Sequence, residues 1–175
     1  LRSVFHIFQS QLRSIYPDLG RRVAFDSTIV KGYSNGNRRK EEISDPDARW
    51  GVTGQKVNRA NHVFGYKLHL SCDADFELPL DYKVVPANRN DSILYYETLL
   101  STKSSGNPVE VAIADAGYDS KRNILLSIKH HAIPVIKLNP RRSKKKTRRL
   151  SDYLLPIRRE SAEWTRLYNM RTSVE

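Results

Sequence analysis

The 175-residue sequence contains a single cysteine, Cys72, and a single methionine. One thiol cannot form an intramolecular disulfide or supply half of a CxxC zinc site, so the composition favours a reducing compartment. No run approaches the ~20 consecutive apolar residues of a membrane helix. Polar residues interrupt every apolar run near the start, so no secretory signal is expected there. These absences predict a cytoplasmic protein with no membrane partner.

The sequence also lacks the motifs of several functional classes and architectures. There is no GxxxxGKS/T loop, no dinucleotide fingerprint and no internal repeat, so nucleoside-triphosphate chemistry is not indicated. With 39% apolar residues, 8 glycines and 8 prolines, the chain is not collagen-like, low-complexity or wholly disordered. Its length is that of about one ordinary domain.

Positive charge is abundant and unevenly distributed. Thirty Lys and Arg against nineteen Asp and Glu give a net charge of +11. Residues 76–140 are neutral, whereas residues 141–175 carry +7. This distribution favours a polyanionic partner, with a solvated basic surface as the alternative. One run is predicted to follow a phosphate backbone, or else to be a solvated linker: Arg141, Arg142, Lys144, Lys145, Lys146, Arg148 and Arg149.

Hydrophobic spacing predicts an α/β fold. A helix over 3–16 precedes the strand VAFDSTIV, and residues 33–61 are predicted to be a long polar loop. Antiparallel strands then form a hairpin, and helices alternate with strands afterwards, which predicts a mixed sheet of five strands flanked by helices. The last helix is predicted over 157–175. We expect an N-terminal helix in residues 1–20 and one domain over 21–175 whose last helix the chain end truncates.

Two aspartates occupy positions at which a carboxylate is costly to bury. Asp26 lies within an otherwise apolar strand, and Asp115 ends the buried run VAIAD. Such carboxylates require a partner or a cation, and the carboxyl ends of parallel strands are where open α/β sheets bind ligands. Either aspartate alone is equally consistent with a cap or a salt bridge.

The last predicted helix carries four functional side chains on one face: Trp164, Tyr168, Arg171 and Glu175. Alone, this face is consistent with an ordinary amphipathic helix. Together with Asp26 and Asp115, however, Glu175 completes an oxygen-only set suited to two Mg²⁺ or Mn²⁺ ions. Trp50, in the polar loop, is a candidate for stacking on an unstacked base, with simple packing as the alternative. His69 is expected to have a core or surface role.

The sequence resembles the DDE transposases of prokaryotic insertion sequences, in the group with the Tyr-x2-Arg-x3-Glu signature. That signature corresponds to Tyr168-Asn-Met-Arg171-Thr-Ser-Val-Glu175, and the second-aspartate block to Asp115-Ala116-Gly117-Tyr118. The first-aspartate block is similar to Ala24-Phe25-Asp26-Ser27-Thr28, and GYKLHLSCDAD and VVPANRNDS also look like family segments. The resemblance covers residues 21–175. The Lys that often follows the Glu by seven residues lies beyond this sequence.

The resemblance implies a ribonuclease-H-like fold in which the first strand lies beside the fourth. It implies that Asp26, Asp115 and Glu175 are catalytic metal ligands, and that Tyr168 and Arg171 contact DNA. The implied partners are the terminal inverted repeats of the element, target DNA and a second copy of the chain in the active complex, and the implied location is the prokaryotic cytoplasm and nucleoid. Two alternatives remain: a nuclease of the same fold without strand transfer, and an inactive DNA-binding derivative.

Overall fold

The structure, a computed structural model, describes residues 2–33, 45–56, 59–139 and 153–174. The predicted basic run at 141–149 and the predicted ligand Glu175 therefore lie outside the described residues. Within the described residues the helices and strands follow in this order: α1 Arg2–Ile15, β1 Arg22–Lys31, β2 Arg49–Lys56, β3 Arg59–Asp73, β4 Pro79–Pro86, α2 Asp91–Ser104, β5 Val111–Ala114, a 3₁₀ turn Ala116–Tyr118, α3 Lys121–Lys129, β6 Ile133–Ile136, α4 Ala162–Asn169 and a terminal 3₁₀ helix Met170–Val174.

The strands form one mixed sheet with β1 near its centre. On one side β1 pairs antiparallel with β3, and on the other it pairs parallel with β5, which pairs parallel with β6. The far edge of β3 pairs antiparallel with β2 along its first half and with β4 along its second half. Among the five strands predicted from the sequence, the first therefore lies beside the fourth, as the ribonuclease-H-like expectation requires.

The described sheet has six strands rather than the five predicted, because β2 lies inside the segment interpreted as a polar loop. Its sequence, RWGVTGQK, contains two glycines and no regular apolar alternation, so local pattern does not indicate a strand. Tertiary contacts stabilise the strand in place of local propensity. β2 pairs with β3, and the Trp50 and Phe64 rings pack with centroids 5.5 Å apart. β3 is correspondingly longer than predicted.

Helices cover the two faces of the sheet with separate apolar clusters. On the face covered by α2 and α3, the cluster includes Phe25, Tyr95 and Leu99. On the other face, covered by α4, the cluster includes Ala24 and Trp164. We call these the α2 face and the α4 face. None of the helices in the described ranges combines the length and apolar content that a bilayer span requires.

The last helix begins later than predicted and changes type before the end of the described residues. Glu160 has a φ of 64°, a left-handed conformation that a helix cannot continue through. Ser161 then caps α4 by accepting a hydrogen bond from the Trp164 N–H at 3.1 Å. The backbone becomes a 3₁₀ helix at Met170. Asn90 caps α2 and Ser120 caps α3, each side chain accepting a hydrogen bond from a backbone N–H of the first turn.

Candidate active site

The register of β1 and β5 brings the two predicted aspartates to one edge of the paired strands. Phe25 is opposite Ala114 at the last paired position of the parallel ladder, so Asp26 and Asp115 are the next residues on each strand. Neighbouring strands lie about 4.8 Å apart. Because Ala24 belongs to the cluster on the α4 face, the alternation of a strand directs Asp26 to that face as well.

Asp26 lies between the backbone of its own strand and the terminal 3₁₀ helix. Its side chain is 27% exposed, and Oδ1 accepts a hydrogen bond from the Ser27 N–H at 2.7 Å. The Arg171 guanidinium lies 3.4 Å from Oδ2. The terminal 3₁₀ helix thus delivers a cation to the carboxylate, across 145 residues of sequence.

Asp115 caps the 3₁₀ turn that follows β5. Its Oδ1 accepts a hydrogen bond from the Gly117 N–H at 2.8 Å. A Cβ built at residue 117 would lie 3.0 Å from this oxygen, closer than ordinary van der Waals contact allows. The glycine of the Asp-Ala-Gly-Tyr block therefore leaves room for the carboxylate to take this conformation.

The ring of Tyr168 is close to two cationic side chains, Arg171 and Lys137. This ring stacks on Trp164 with centroids 4.8 Å apart and an interplanar angle of 8°. The Arg171 guanidinium lies 5.9 Å from the ring centroid and the Lys137 Nζ lies 5.7 Å from it. Both distances are within the range of cation–π attraction. Lys137 was not predicted as a site residue, although its position directly after the buried strand β6 was an available signal.

Tyr118, three residues after Asp115, is a buried phenol that lies close to both Asp26 and Asp115. Burial and the nearby negative charges of Asp91, Asp26 and Asp115 raise the pKa of Tyr118 well above its ordinary value, against the lowering effect of a hydrogen bond with Ser27. That both Asp26 and Asp115 act on the same hydroxyl is consistent with their adjacency in the sheet. The phenol remains protonated throughout the physiological range.

The predicted site residues are only partly brought together. Asp26 and Asp115 lie on neighbouring strands, and Tyr168 and Arg171 lie beside them. Trp50 packs against Phe64, six residues along β3 from Leu70, the partner of Asp26, or about 20 Å away along the strand. Its contact with DNA stays a prediction. Arg141–Arg149 and Glu175 lie outside the described residues.

The donor chemistry of this centre fits a hard divalent cation. Asp26 and Asp115 offer carboxylate oxygens, which Mg²⁺ and Mn²⁺ prefer over other ligands. Arg171 at 3.4 Å from Asp26 indicates that this carboxylate accepts a positive charge. No group of three or more acidic, histidine or cysteine side chains with metal-binding geometry occurs in the described residues, which do not include Glu175.

Fold and site together define an α/β domain in which two carboxylates, Asp26 and Asp115, lie just past the last paired position of a parallel ladder, with a cationic side chain beside them. The chain belongs to the transposase DDE domain family, whose family model matches residues 17–175. The resemblance to DDE transposases noted from the sequence motifs is therefore confirmed.

Two further comparisons concern curated proteins and solved structures. Among curated proteins none matches the chain. Two solved structures are similar to it: a Mos1 transposase paired-end complex with the left transposon end, at 13% identity over 77% of this chain with a TM-score of 0.39, and a pre-cleavage Mos1 transpososome, at 10% identity over 97% with a TM-score of 0.38. The chain spans 39% and 56% of the lengths of those two proteins.

Proposed function

We propose that this domain cleaves DNA at the ends of an insertion sequence and joins the freed 3′ end to target DNA. The single observation that carries the proposal is the register of β1 and β5, which makes Asp26 and Asp115 neighbours at the end of a parallel ladder. Membership of the transposase DDE domain family supports it. The substrate would be met in a prokaryotic cytoplasm, at the nucleoid.

Asp26, Asp115 and Glu175 are the proposed ligands of two divalent cations. Glu175 follows Val174, the last residue of the terminal 3₁₀ helix, directly in the sequence. When bound, Mg²⁺ or Mn²⁺ supplies the Lewis acidity that activates an attacking oxygen and stabilises a leaving one. The protein contributes the carboxylate geometry: the Ser27 and Gly117 backbone amides each hold one oxygen of an aspartate at 2.7 and 2.8 Å.

The cationic side chains beside the aspartates are proposed to hold the DNA backbone. Arg171 presents a planar fork of donors that matches phosphate geometry. Arg171 and Lys137 both lie close to the ring of Tyr168, at 5.9 and 5.7 Å from its centroid. Asn139, two residues before the predicted basic run, donates to the Ala116 carbonyl of the turn after Asp115. Asn139, the last described residue before that run in the sequence, therefore lies beside the candidate site. Contacts of this kind position the DNA and do not read its sequence.

Both proposed reactions are displacements at phosphorus, so one site serves both. In the first, a water molecule gives up a proton as its oxygen forms a bond to phosphorus. The bond from phosphorus to the 3′ oxygen breaks, and that oxygen takes up a proton and leaves as a 3′-hydroxyl. In the second, this hydroxyl attacks a phosphodiester of the target, and the displaced target oxygen takes up a proton. Because an insertion sequence has two ends and each must be cleaved and joined to the target, we propose a homodimer in the active complex.

The test uses duplex DNA bearing an element end and the variants Asp26→Asn, Asp115→Asn and Glu175→Gln. Each is expected to reduce Mn²⁺-dependent cleavage on the order of 10³-fold, because a lost ligand removes several kcal/mol of transition-state stabilisation. DNA binding, measured by gel shift, should change little. Glu163→Gln, an exposed acid on α4, is the control for the change from acid to amide and should cleave normally.

Each alternative has its own outcome in this assay. Cleavage without any joined product would favour a nuclease of the same fold. DNA binding that needs no divalent cation, with no cleavage by the wild type, would favour an inactive DNA-binding derivative. Normal cleavage by one of the three variants would remove that residue from the proposed ligand set.

A further inference from the structure

The α2 face of the sheet, directly behind the candidate active site, carries a polar cluster that the proposed chemistry does not use. Ser27 follows Asp26 on β1, and its hydroxyl donates a hydrogen bond to Asp91 Oδ1 at 2.9 Å. Lys67 Nζ donates to the same oxygen at 2.8 Å and to the Arg89 carbonyl at 2.9 Å. The Lys67 side chain is only 12% exposed. One carboxylate oxygen thus joins β1, β3 and α2.

His69 adds a third group directed at the same oxygen. Its Nε2 lies 3.7 Å from Asp91 Oδ1, its side chain is 2% exposed, and this nitrogen has no hydrogen-bond partner among the described residues. Burial lowers the pKa of His69 to about 4, against the raising effect of Asp91, so the ring is neutral and Lys67 balances the charge of the carboxylate. A buried polar atom without a hydrogen bond is costly. Moving the Asp91 carboxylate away from His69 would therefore be unfavourable.

The cluster also reaches the segment that carries the second aspartate. The Tyr118 hydroxyl interacts with the Ser27 side chain and with the charge of Asp91. Tyr118 closes the 3₁₀ turn that Asp115 caps. Ser27 is therefore bonded to Asp91, near Tyr118 and adjacent to Asp26, so the cluster connects the backbones on which both aspartates stand.

We propose that Asp91 is a positioning residue for the active site: by holding Ser27, and through it Tyr118, it fixes the separation and orientation of the Asp26 and Asp115 carboxylates. This inference rests on the proposed function. It assigns Asp91 no contact with substrate or cation. Outer partners of this kind tune metal affinity in proteins, by about 10–100-fold when they are removed.

A simple helix-terminal role does not account for these contacts. Asp91 stands in the first turn of α2, where a negative charge is favoured by about 0.3–1 kcal/mol. That effect needs no partner on β1 or β3. The same helix offers a comparison in Glu97, which pairs with Lys83 near the surface, both side chains being more than 40% exposed. Glu97 is an acid of α2 that touches neither aspartate segment.

The experiment measures Mn²⁺ binding to the DNA-free protein by electron paramagnetic resonance, for Asp91→Asn, Ser27→Ala, the double variant and Glu97→Gln. We expect Asp91→Asn and Ser27→Ala each to raise the Mn²⁺ Kd about tenfold. The double variant should raise it no further, because both changes break one connection. Glu97→Gln should bind within about twofold of the wild type.

Thermal unfolding of the same proteins separates positioning from stability. A purely structural Asp91 would lower Tm and leave the Mn²⁺ Kd of the folded protein unchanged, and that result overturns the inference. Where Asp91→Asn does not fold, the Mn²⁺ Kd of Ser27→Ala tests the inference instead. That variant removes the hydrogen bond to Asp91 and leaves the Lys67–Asp91 ion pair intact. Asp26→Asn distinguishes the two proposals: unchanged Mn²⁺ binding by that variant refutes the proposed metal site itself, whatever Asp91 does.

Discussion

The buried ion pair between Asp119 and Arg159 makes a strong prediction about stability. The Asp119 side chain is 1% exposed and the Arg159 side chain 11% exposed, with Oδ1 and a guanidinium nitrogen 3.0 Å apart. Asp119 Oδ2 accepts the Asn139 N–H at 2.9 Å, and Arg159 Nε donates to the Ile136 carbonyl at 3.1 Å. The pair therefore ties the end of β6 and the segment before α4 to the turn that follows Asp115.

Replacing Asp119 by alanine is expected to cost about 3–5 kcal/mol of the free energy of unfolding, because it leaves a buried guanidinium without this carboxylate. Arg159→Met should cost a similar amount, since it leaves a buried carboxylate without this cation. The double variant should cost only about 1–3 kcal/mol, the penalty of a backbone N–H that has lost its acceptor. The two single losses would sum to about 6–10 kcal/mol, so the cycle should be strongly non-additive.

Urea unfolding followed by far-ultraviolet circular dichroism measures all four proteins under one condition. Asp119→Asn substitutes for the alanine variant in the cycle where the latter is too unstable to fold, because it retains a polar group in the same volume. A double variant whose loss equals the sum of the single losses would refute the reasoning. That result would mean that Asp119 and Arg159 stabilise the fold through independent contacts and not through each other.

Three further predictions follow from other parts of the described fold. The pKa of His69 is about 4 in the folded protein against about 6.5 in the unfolded chain, so only the unfolded chain takes up this proton between those values. Stability should fall as the pH drops from about 6.5 to 4, by up to about 3 kcal/mol, and His69→Gln should flatten this dependence in urea titrations at stepped pH. Gly65→Ala should disrupt the pairing of β1 with β3, because the new Cβ would lie 2.2 Å from the Val30 carbonyl oxygen. The free energy of unfolding should fall by more than about 2 kcal/mol, and an unchanged Tm in a thermal scan would contradict this. Leu99→Ala, at a fully buried position, should cost about 2–5 kcal/mol in the same scan, and a loss below about 1 kcal/mol would show that the cluster on the α2 face collapses around the cavity.

Much of the fold was predictable because its strands and helices carry clear local patterns. The hairpin of β3 and β4 alternates in sequence, and α2 and α3 start at residues whose side chains cap them, Asn90 and Ser120. The run VAIA, buried at all four positions, has the continuous apolar character of a parallel strand covered on both faces. In these segments local propensity and tertiary structure agree.

Prediction failed where tertiary contacts override the local pattern. β2 has weak strand propensity and is held by a neighbour and by the packing of Trp50 on Phe64. The late start of α4 depends on Glu160, whose positive φ no sequence rule indicates for a glutamate. Both errors have one physical origin, because each conformation is stabilised by residues distant in sequence or by strain that the rest of the fold offsets.

The same distinction applies to the candidate site. Carboxylates at strand ends were identifiable because burying them is costly without a partner, and the spacing of Tyr168 and Arg171 placed both on one face. Asp91 offered no such signal: an acid in the first turn of a helix is common, and its partner Ser27 lies 64 residues away. Only the pairing of β1 with β3 beneath α2, which brings Ser27 and Lys67 to Asp91, makes it distinctive. A residue that acts by orienting others is therefore recognised from its contacts, which is why Asp91 required the fold, whereas Asp26 and Asp115 did not.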